Sequence, residues 1–564
     1  MNHEVFNQST PFENRNLFAV DKPLGEAVGV FQAAWAGDEL TALGAAWGTA
    51  ELQALAREAN VNSPRLHTHD RFGARIDEVE FHPSWHALMG RLIASGAHAA
   101  PWAEPRAGAQ AARAAKYLLW SQVENGTQCP TTMTFAVVPV IAAQPLLAPW
   151  LPKLLSRDYD PRSLPMPAKR GVLMGMGMTE KQGGSDLRAN TTRADFAGTS
   201  EWGEAYRLTG HKWFFSAPQC DAHLVLARIA GEALSCFFVP RFLPDGARNA
   251  IRVQRLKDKV GNRSNASGEV EFDGAGGWLV GEAGRGIATI LEMGNHTRLD
   301  CSLGAAGIMR AALTHALHHA RGRSAFGRRL AEQPLMRNVL ADLALESEAA
   351  TWLALRLARA YDADADEREQ ALRRVLTPVA KYWLCKRVSA LCTEAMEVFG
   401  GNGYVEEAPI ARFFRESPLN SIWEGSGNVI ALDMLRAMSR SPATRDALHD
   451  ELAPARGAHA AYDRQLDAAL GWLRGPLDDE AAARRRAEQL ALLLQAGLLI
   501  RHAPSAVAEA FVAARLDAPW RGSFGTLPDG VDGALLIDRA LAEDDPSPQP
   551  SSRQGEGEIQ REMT

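Results

Sequence analysis

The sequence lacks the features that mark secreted, metal-binding and membrane proteins. Cysteine is scarce: the 564 residues contain six, none of them in a C-x-x-C pair or in a Cys/His cluster with zinc-site spacing. We therefore expect reduced thiols in a cytoplasmic protein, and no metal site. The chain has no run of about 18 apolar residues and no basic segment followed by an apolar core at its N-terminus. Neither a membrane span nor a secretory signal is expected.

An excess of positive charge is also absent. Lysine and arginine total 61 against 67 acidic residues, and the formal net charge is -6. This balance excludes a globally basic nucleic-acid binder, although it still permits a local basic patch. The hydrophobic fraction of 46% is ordinary for a globular protein, and a chain of 564 residues is long enough for about two to four domains.

The spacing of apolar residues predicts an α+β chain. Helical spacing dominates the first part, as in residues 85–93, and short apolar runs between turn residues follow, such as 235–240, which are typical of an antiparallel β-domain. Helical spacing then returns, with a long helix predicted over 377–399 and ended by Gly400 and Gly401. The predicted blocks are an N-terminal helical domain (1–170), a middle β-domain (171–281), a C-terminal helical bundle (282–440), an extra helical domain (441–540) and a disordered tail (541–564).

The first chemically informative segment spans residues 174–186 and is rich in glycine and methionine. Small residues let the backbone approach a flat ligand, and Thr179 and Ser185 offer hydroxyl groups among free amides. Such a segment suits the edge of an isoalloxazine ring, which needs several hydrogen-bond donors. A glycine-rich turn that enters the β-domain is the structural alternative.

Two further segments carry an aromatic run and a carboxylate. Residues 210–216 place aromatic side chains before a hydroxyl, which suits stacking on a flavin or, alternatively, a strand of the core. Residues 420–428 hold Glu424 between a tryptophan and small residues, where lost solvation raises a carboxyl pKa towards that of a working base. The alternative here is a capping loop before a helix, with Ser426 or Asn428 as the cap.

In this order along a helix–sheet–helix chain, the three segments resemble the acyl-CoA dehydrogenase family. The family motifs T-E-x-x-x-G-S-D, G-x-K-x-W-I-T and Y-E-G-T stand here at residues 179–186, 210–216 and 423–426. Supporting matches are residues 259–263, 284–286, Arg298, 323–327 and 400–404, so that eight ordered motifs cover residues 85–440. Further stretches, among them Phe81-His-Pro-Ser-Trp, are similar to the family branch that responds to DNA alkylation, which extends the resemblance to residues 5–530.

The resemblance implies an acyl-CoA dehydrogenase fold, FAD as cofactor, an acyl-CoA or related substrate and a homotetramer. Glu424 matches the base that removes the α-proton of an acyl thioester while the β-hydride goes to the flavin. Thr297 stands where some family members carry this base instead. By the same resemblance, the cofactor-binding residues are Met176, Gly177, Met178, Thr179, Gly184, Ser185, Phe214, Phe215, Ser216, Arg323, Phe326, Gly400, Gly401, Ile422, Trp423, Gly425, Ser426, Gly427 and Asn428.

Departures from the family pattern keep other functions open. Trp423 replaces a tyrosine and Phe214 a tryptophan, and both changes alter the surroundings of the expected substrate. One alternative is a protective protein that binds duplex DNA and has only vestigial dehydrogenase activity. Its extra block, 441–540, has 11 arginines and no lysine but also 14 acidic residues, and Arg484-Arg485-Arg486 is expected to be a solvated helix face. Another alternative is a scaffold that keeps FAD for stability.

Overall fold

The N-terminal part is helical and is interrupted by one β-hairpin. A computed structural model describes residues 3–517 and 522–542; most of the tail predicted to be disordered, from residue 543 onwards, lies outside the described residues. The hairpin, which sequence analysis did not predict, has only exposed and half-buried residues and therefore no run of buried apolar positions. The elements are α1 (Lys22–Val30), α2 (Gly37–Trp47), α3 (Ala50–Val61), β1 (Arg65–His69), β2 (Arg75–Glu80), α4 (Pro83–Ala94), α5 (Ala100–Ala103), α6 (Ala109–Ser121), α7 (Gln128–Ala142) and α8 (Leu151–Leu154).

The middle part is a closed β-barrel. Its strands are β3 (Met174–Gly177), β4 (Arg193–Ser200), β5 (Gly203–Ser216), β6 (Ala222–Ile229), β7 (Leu234–Pro240), β8 (Ile251–Leu256) and β9 (Ser267–Val280). Strands β6, β4, β5, β9 and β7 pair in this order and β7 pairs again with β6, while β3 joins β6 and β8 joins β9. The β3–β6 and β4–β6 pairs are parallel, which departs from the antiparallel domain expected. These strands are joined by long connections rather than tight turns, which permits the parallel arrangement.

The C-terminal bundle follows a turn with glycines at positive φ, Gly281 and Gly284. Its elements are α9 (Gly286–Gly322), β10 (Ser324–Ala325), β11 (Arg328–Arg329), α10 (Pro334–Arg359), α11 (Glu367–Val398), α12 (Pro409–Glu416) and α13 (Gly427–Arg440). Helix α11 begins ahead of the predicted position because Asp366 caps it, accepting a hydrogen bond from the Glu369 amide at 2.8 Å. The predicted end before Gly400, whose φ is +60°, is confirmed.

The extra helices pack onto this bundle rather than standing apart from it. They are α14 (Pro442–Leu452), α15 (Ala460–Leu473), α16 (Ala483–His502), α17 (Ser505–Val512) and α18 (Gly533–Ala540). Helix α16 lies against α10, α11 and α13, and α18 lies against α1 and α10, so one hydrophobic core runs through all of them. Buried ion pairs reinforce the contact: Arg515 donates to Asp342, and Arg539 donates to Glu348 at 2.8 Å. The expected fold class is confirmed.

A buried ion pair fixes the N-terminal helices to the bundle next to the site described below. Arg113 of α6 donates two hydrogen bonds of 2.7 Å to Asp300 of α9, and Thr132 of α7 donates a third, also 2.7 Å, to the same carboxylate. Both charges are almost fully buried, so loss of either partner leaves an uncompensated charge, which costs about 3–5 kcal/mol. Across residues 3–517 and 522–542, none of the helices has the length and apolar character needed to cross a membrane.

Candidate active site

Glu424 occupies a strained turn just before α13. Its backbone φ is +58°, in the left-handed region that side-chain-bearing residues rarely adopt, and Gly425 follows with φ +104°. A non-glycine residue in this region costs on the order of 1–3 kcal/mol and persists only where its surroundings enforce it. Such strain is concentrated at functional sites, which agrees with the expectation that this carboxylate does chemistry.

Three side chains from two bundle helices hold this turn. On α9, the hydroxyl oxygen of Thr297 lies 2.7 Å from Oε2 of Glu424, and Nε of Arg298 donates to the Glu424 backbone carbonyl at 3.0 Å. On α11, Nζ of Lys381 donates to the carbonyl of Trp423 at 2.8 Å and to that of Gly425. The carboxylate and the carbonyls of residues 423–425 are therefore all fixed by groups outside the turn.

The electrostatic surroundings of Glu424 suit a base. Burial raises the pKa of its carboxyl, while the hydrogen bond from Thr297 and the positive charges of Arg298 and Lys381 offset part of the rise. The residue as a whole is half-buried. A carboxylate whose pKa is raised by burial is able to accept a proton from a substrate carbon placed beside it.

Trp423 is fixed beside the base. Its indole N–H donates to Oδ1 of Asn420 at 2.9 Å, and its ring packs against both the helical core and the core that joins α7 to the β-domain. The preceding residue, Ile422, is 63% exposed. The bulky indole is thus held in place next to Glu424 in the chain.

The strand β5 presents alternating faces to this region. Phe214 is 52% exposed and Ser216 is half-buried, whereas Phe215 between them is completely buried. The Phe215 ring stacks on His223, with ring centroids 4.0 Å apart, inside the barrel. This corrects the expectation for Phe215: a register shift in β5 between Lys212 and Phe215 turns its ring into the core, on the opposite side of the strand from Phe214 and Ser216.

Ser216 and Glu424 both influence the buried thiol of Cys129. Burial raises the pKa of this thiol to about 12; a hydrogen bond with Ser216 acts against this rise and the Glu424 charge adds to it. Ser216 therefore contacts Cys129 of α7, which also lies within electrostatic reach of the candidate base.

The glycine- and methionine-rich segment forms β3 and the loop after it. Met176 and Gly177 are buried, Met178 and Thr179 are half-buried, and Gly184 and Ser185 are exposed. A Cβ atom on Gly177 would lie 2.6 Å from the Phe215 ring, and one on Gly184 would lie 2.5 Å from the Thr179 hydroxyl. A side chain at either position would displace these neighbours, so the two glycines make room for the Phe215 ring and for Thr179.

The Thr-Glu motif has a structural partner in the next motif. Glu180 accepts a hydrogen bond of 2.7 Å from Nζ of Lys212, and both side chains are fully buried. Although burial alone favours the neutral acid, the Lys212 ammonium holds the pKa of Glu180 well below its usual range. Thr191 and Thr192 donate further hydrogen bonds to the same carboxylate. This network ties the loop that carries Gly184 and Ser185 to β5.

Some expected cofactor residues lie far from Glu424 in the same chain. Arg298 contacts Glu424, and α9 ends 24 residues later at Gly322, which is about 36 Å along a straight helix. Arg323, directly after this end, donates to the Asn7 carbonyl, and Phe326 is 100% exposed. Gly400 and Gly401 lie in the turn after α11 and are exposed as well. Arg323 and Phe326 therefore do not lie beside Glu424 in the same chain.

The start of α13 is positively charged because of a residue that was expected only on a solvated helix face. Ser426 occupies the cap position without a side-chain hydrogen bond, so the capping alternative is not realised through its hydroxyl. Asn428 accepts a hydrogen bond of 2.8 Å from Nε of Arg484, which lies on α16. A Cβ atom on Gly427 would lie 3.5 Å from Nζ of Lys386 and 3.6 Å from NH2 of Arg484. Arg484 is therefore not only part of a solvated face, and this helix start suits an anion.

Three parts of the chain match described protein families. Residues 7–161 match the adaptive response protein AidB N-terminal domain, residues 175–275 the acyl-CoA dehydrogenase middle domain, and residues 284–439 the acyl-CoA dehydrogenase C-terminal domain. The chain is 50% identical over 539 residues to the putative acyl-CoA dehydrogenase AidB of Escherichia coli, covering 95% of this chain and 98% of that protein. It is 28% identical to acyl-CoA dehydrogenase family member 11 of Caenorhabditis elegans, covering 87% and 78%.

Solved structures share the fold. The C. elegans ACDH-11 structure in complex with C11-CoA has a TM-score of 0.82 and 26% identity, and the match covers 93% of this chain and 95% of that one. An acyl-CoA dehydrogenase from Bacillus anthracis, complexed with FAD, has a TM-score of 0.61 and 18% identity, with 81% and 79% covered. The first of these matches includes most of the extra helices, since it covers nearly the whole chain.

Proposed function

Because the chain belongs to the acyl-CoA dehydrogenase family, we propose that it is an FAD-dependent oxidoreductase that oxidises an acyl thioester, with Glu424 as the base. The observation that carries the proposal is the Glu424 turn: a half-buried carboxylate at φ +58°, held by Thr297, Arg298 and Lys381, with its pKa raised by burial. The family relationship supports this role, since the residue matches the family's base.

The residues around the cleft fit a flavin. Phe214 offers an exposed ring face. Thr179, Ser185 and Ser216 add hydroxyl groups that suit the polar edge of the ring. FAD, when bound, supplies the acceptor for the hydride that leaves the β-carbon of the acyl chain.

Glu424 performs the other half of the reaction. Its ionised carboxylate takes the proton from the α-carbon, and the electron pair of that C–H bond becomes the new carbon–carbon double bond as the β-hydride departs. Thr297 keeps the carboxylate aimed, since its hydroxyl lies 2.7 Å from Oε2. The fixed Trp423 indole favours a short acyl chain, branched chains included, over a long one.

We also propose that the active form contains several copies of the chain. Arg323 and Phe326 lie about 36 Å along α9 from the Glu424 turn, so they serve a flavin only if it is bound to another copy. The complete exposure of Phe326 leaves its ring available for such a contact, and aromatic residues are enriched in protein interfaces. A homotetramer, which the family resemblance implies, provides such a contact between copies.

The cellular setting that we propose is the cytoplasm. All six cysteines lie within the described residues, and each is buried and unpaired. Burial raises the pKa of Cys385 to about 12, and raises those of the other five above the usual thiol range as well, so the thiols are poor nucleophiles. Reduced, unreactive thiols support a reducing compartment.

The test is anaerobic titration of the FAD-loaded protein with short branched acyl-CoA thioesters. We expect loss of the visible flavin absorption in the parent protein and none in Glu424→Gln, which keeps the shape of the side chain without its basicity. Glu201→Gln, at an exposed glutamate in the β4–β5 turn, is the matched control and is expected to behave as the parent. If no thioester reduces a firmly bound flavin, the dehydrogenase proposal is wrong and a scaffold role is favoured.

A second candidate function is duplex-DNA binding in an alkylation response. The match of residues 7–161 to the adaptive response protein AidB N-terminal domain favours it. The extra helices give DNA binding less support, because several of their arginines already form ion pairs with carboxylates. These pairs are Arg456 with Asp467, Arg464 with Asp517 and Arg501 with Glu451.

Point substitutions test DNA binding better than deletion of the extra helices does. Deletion would strip Asp342 and Glu348 of α10 of their buried arginine partners, and unfolding would then mimic loss of binding. Arg474 and Arg485 are exposed on the extra helices. Salt-sensitive duplex binding that weakens in an Arg474→Ala, Arg485→Ala double variant, but not in Arg71→Ala on the β1–β2 hairpin, would support this role. Absence of binding by the parent would exclude it.

A further inference from the structure

Lys381 is a buried lysine that donates hydrogen bonds to the backbone on both sides of Glu424. It lies in the middle of α11 and is 1% exposed. Its ammonium group donates to the carbonyl of Trp423 at 2.8 Å and to the carbonyl of Gly425, the two residues on either side of Glu424. One cation thus bridges the turn at both of its ends.

The bridge acts on the strained part of the backbone. Glu424 has φ +58° and Gly425 has φ +104°, and a side-chain-bearing residue leaves that region unless its neighbours are held. From the other side, Arg298 donates to the Glu424 carbonyl at 3.0 Å and is itself anchored by Asp433 at 3.0 Å. Three consecutive carbonyls are therefore bound by cations from two helices.

The charge of Lys381 influences three ionisable groups, Glu424, Cys301 and Cys385. Besides Glu424, the thiols of Cys301 and Cys385 lie within electrostatic reach of Lys381. Burial keeps both thiols neutral, because it raises their pKa values well above the ordinary thiol value. Glu424 is the acidic partner among these groups, and Lys381 is placed to act on it through both the backbone and its charge.

We propose that Lys381 is a positioning residue for the Glu424 base: by binding the carbonyls of Trp423 and Gly425 it holds the left-handed turn that presents the carboxylate to the substrate. This inference rests on the proposed dehydrogenase function for its meaning, but the arrangement of the turn is testable without any substrate. No group on Lys381 itself takes part in proton or hydride transfer.

The test compares Lys381→Met with the parent in FAD-loaded protein by two measurements. The first is hydrogen exchange of the peptide that covers residues 419–428, which we expect to become at least about tenfold faster because the turn loses its bridge. The second is the pH profile of flavin reduction by an acyl-CoA. We expect a rate about 100-fold lower, as a misplaced group gives, and an acidic limb moved to higher pH, since the charge that favours ionised Glu424 is gone.

Lys116→Met is the matched control. Lys116 is a buried lysine on α6 that donates to Glu39 at 2.6 Å, so this variant also loses a buried ammonium, but away from Glu424. It is expected to lower stability while leaving the exchange of residues 419–428 and the pH limb as in the parent.

The outcomes separate this inference from the dehydrogenase proposal. Parent-like exchange of residues 419–428 in Lys381→Met would overturn the positioning role, and so would faster exchange spread along all of α11, which indicates a general loss of packing. An unmoved pH limb would overturn it as well. If the parent reduces no acyl-CoA, the proposed function fails, whereas faster exchange confined to residues 419–428 would still support the role of Lys381 in holding the turn.

Discussion

The hydrogen bond between Thr297 and Glu424 predicts how a single substitution moves the pH dependence of the reaction. The Thr297 hydroxyl oxygen lies 2.7 Å from Oε2 of Glu424 and 3.0 Å from the Gly294 carbonyl. A hydroxyl group has one proton, so it donates to only one of these oxygens at a time. When Glu424 is ionised, Thr297 donates to the carboxylate. When Glu424 is protonated, the acid donates to Thr297, which then donates to Gly294.

The change in pKa follows from the difference between these two states. A hydrogen bond to a charged group contributes about 1.5–3 kcal/mol and one between neutral groups about 0.5–1.5 kcal/mol. Thr297→Val removes both, so the ionised form loses about 1–1.5 kcal/mol more than the protonated form does. At about 1.4 kcal/mol per pKa unit, the pKa of Glu424 should rise by about one further unit, beyond the rise that burial already causes.

The assay is the rate of flavin reduction by an acyl-CoA, measured by stopped flow across pH. A base works in its ionised form, so the rate falls as pH drops through the pKa of Glu424. In Thr297→Val this limb should lie about one pH unit higher than in the parent protein. Thr289→Val, on the same helix and remote from Glu424, should leave the limb in place. A limb that stays put in Thr297→Val, or that moves to lower pH, refutes this account of the bond.

Two other substitutions test the charged contacts of the structure. Arg484→Ala should weaken FAD binding by about 1 kcal/mol, or about fivefold in the dissociation constant, because an exposed cation near the start of α13 is lost. A titration followed by flavin fluorescence measures the dissociation constant of FAD. An unchanged constant would contradict a role of Arg484 in binding FAD. Lys212→Met should lower the free energy of unfolding by about 3–5 kcal/mol, because Glu180 is left buried without its partner. Denaturant titration should show most of this loss recovered when Glu180→Gln is added; no recovery contradicts the pairing.

Much of the fold follows from local sequence patterns. The change from helical spacing to short apolar runs predicts where the β-domain begins, and paired glycines predict the end of α11 before Gly400, where φ is +60°. Glu424 is likewise predictable, because its neighbours in the chain are a tryptophan and small residues that exclude water. The burial of Phe215 was not predictable from alternation, because a register shift in β5 after Lys212 reverses which residues face the core.

The contacts that complete the site are not local. Lys381 meets the Glu424 turn from 42 residues away along the chain, and Arg484 meets Asn428 from 56 residues away. No spacing rule links such residues, because their proximity arises when α11 and α16 pack against α13. A lysine within an apolar stretch of α11 is a weak indication of a buried charge, but its partner is visible only in the fold. The ion pair of Arg113 and Asp300, 187 residues apart, is of the same kind.

The same packing changes how the extra helices are to be understood. If they were an appended nucleic-acid module, their arginines would face solvent and their removal would leave the dehydrogenase core intact. Instead, Arg515 and Arg539 compensate buried carboxylates of α10, and Arg484 contacts Asn428 at the start of α13. Helix α16 also packs against α13. A substitution in α16 is therefore expected to disturb the start of α13, so that the extra helices behave as part of the bundle rather than as a separate module.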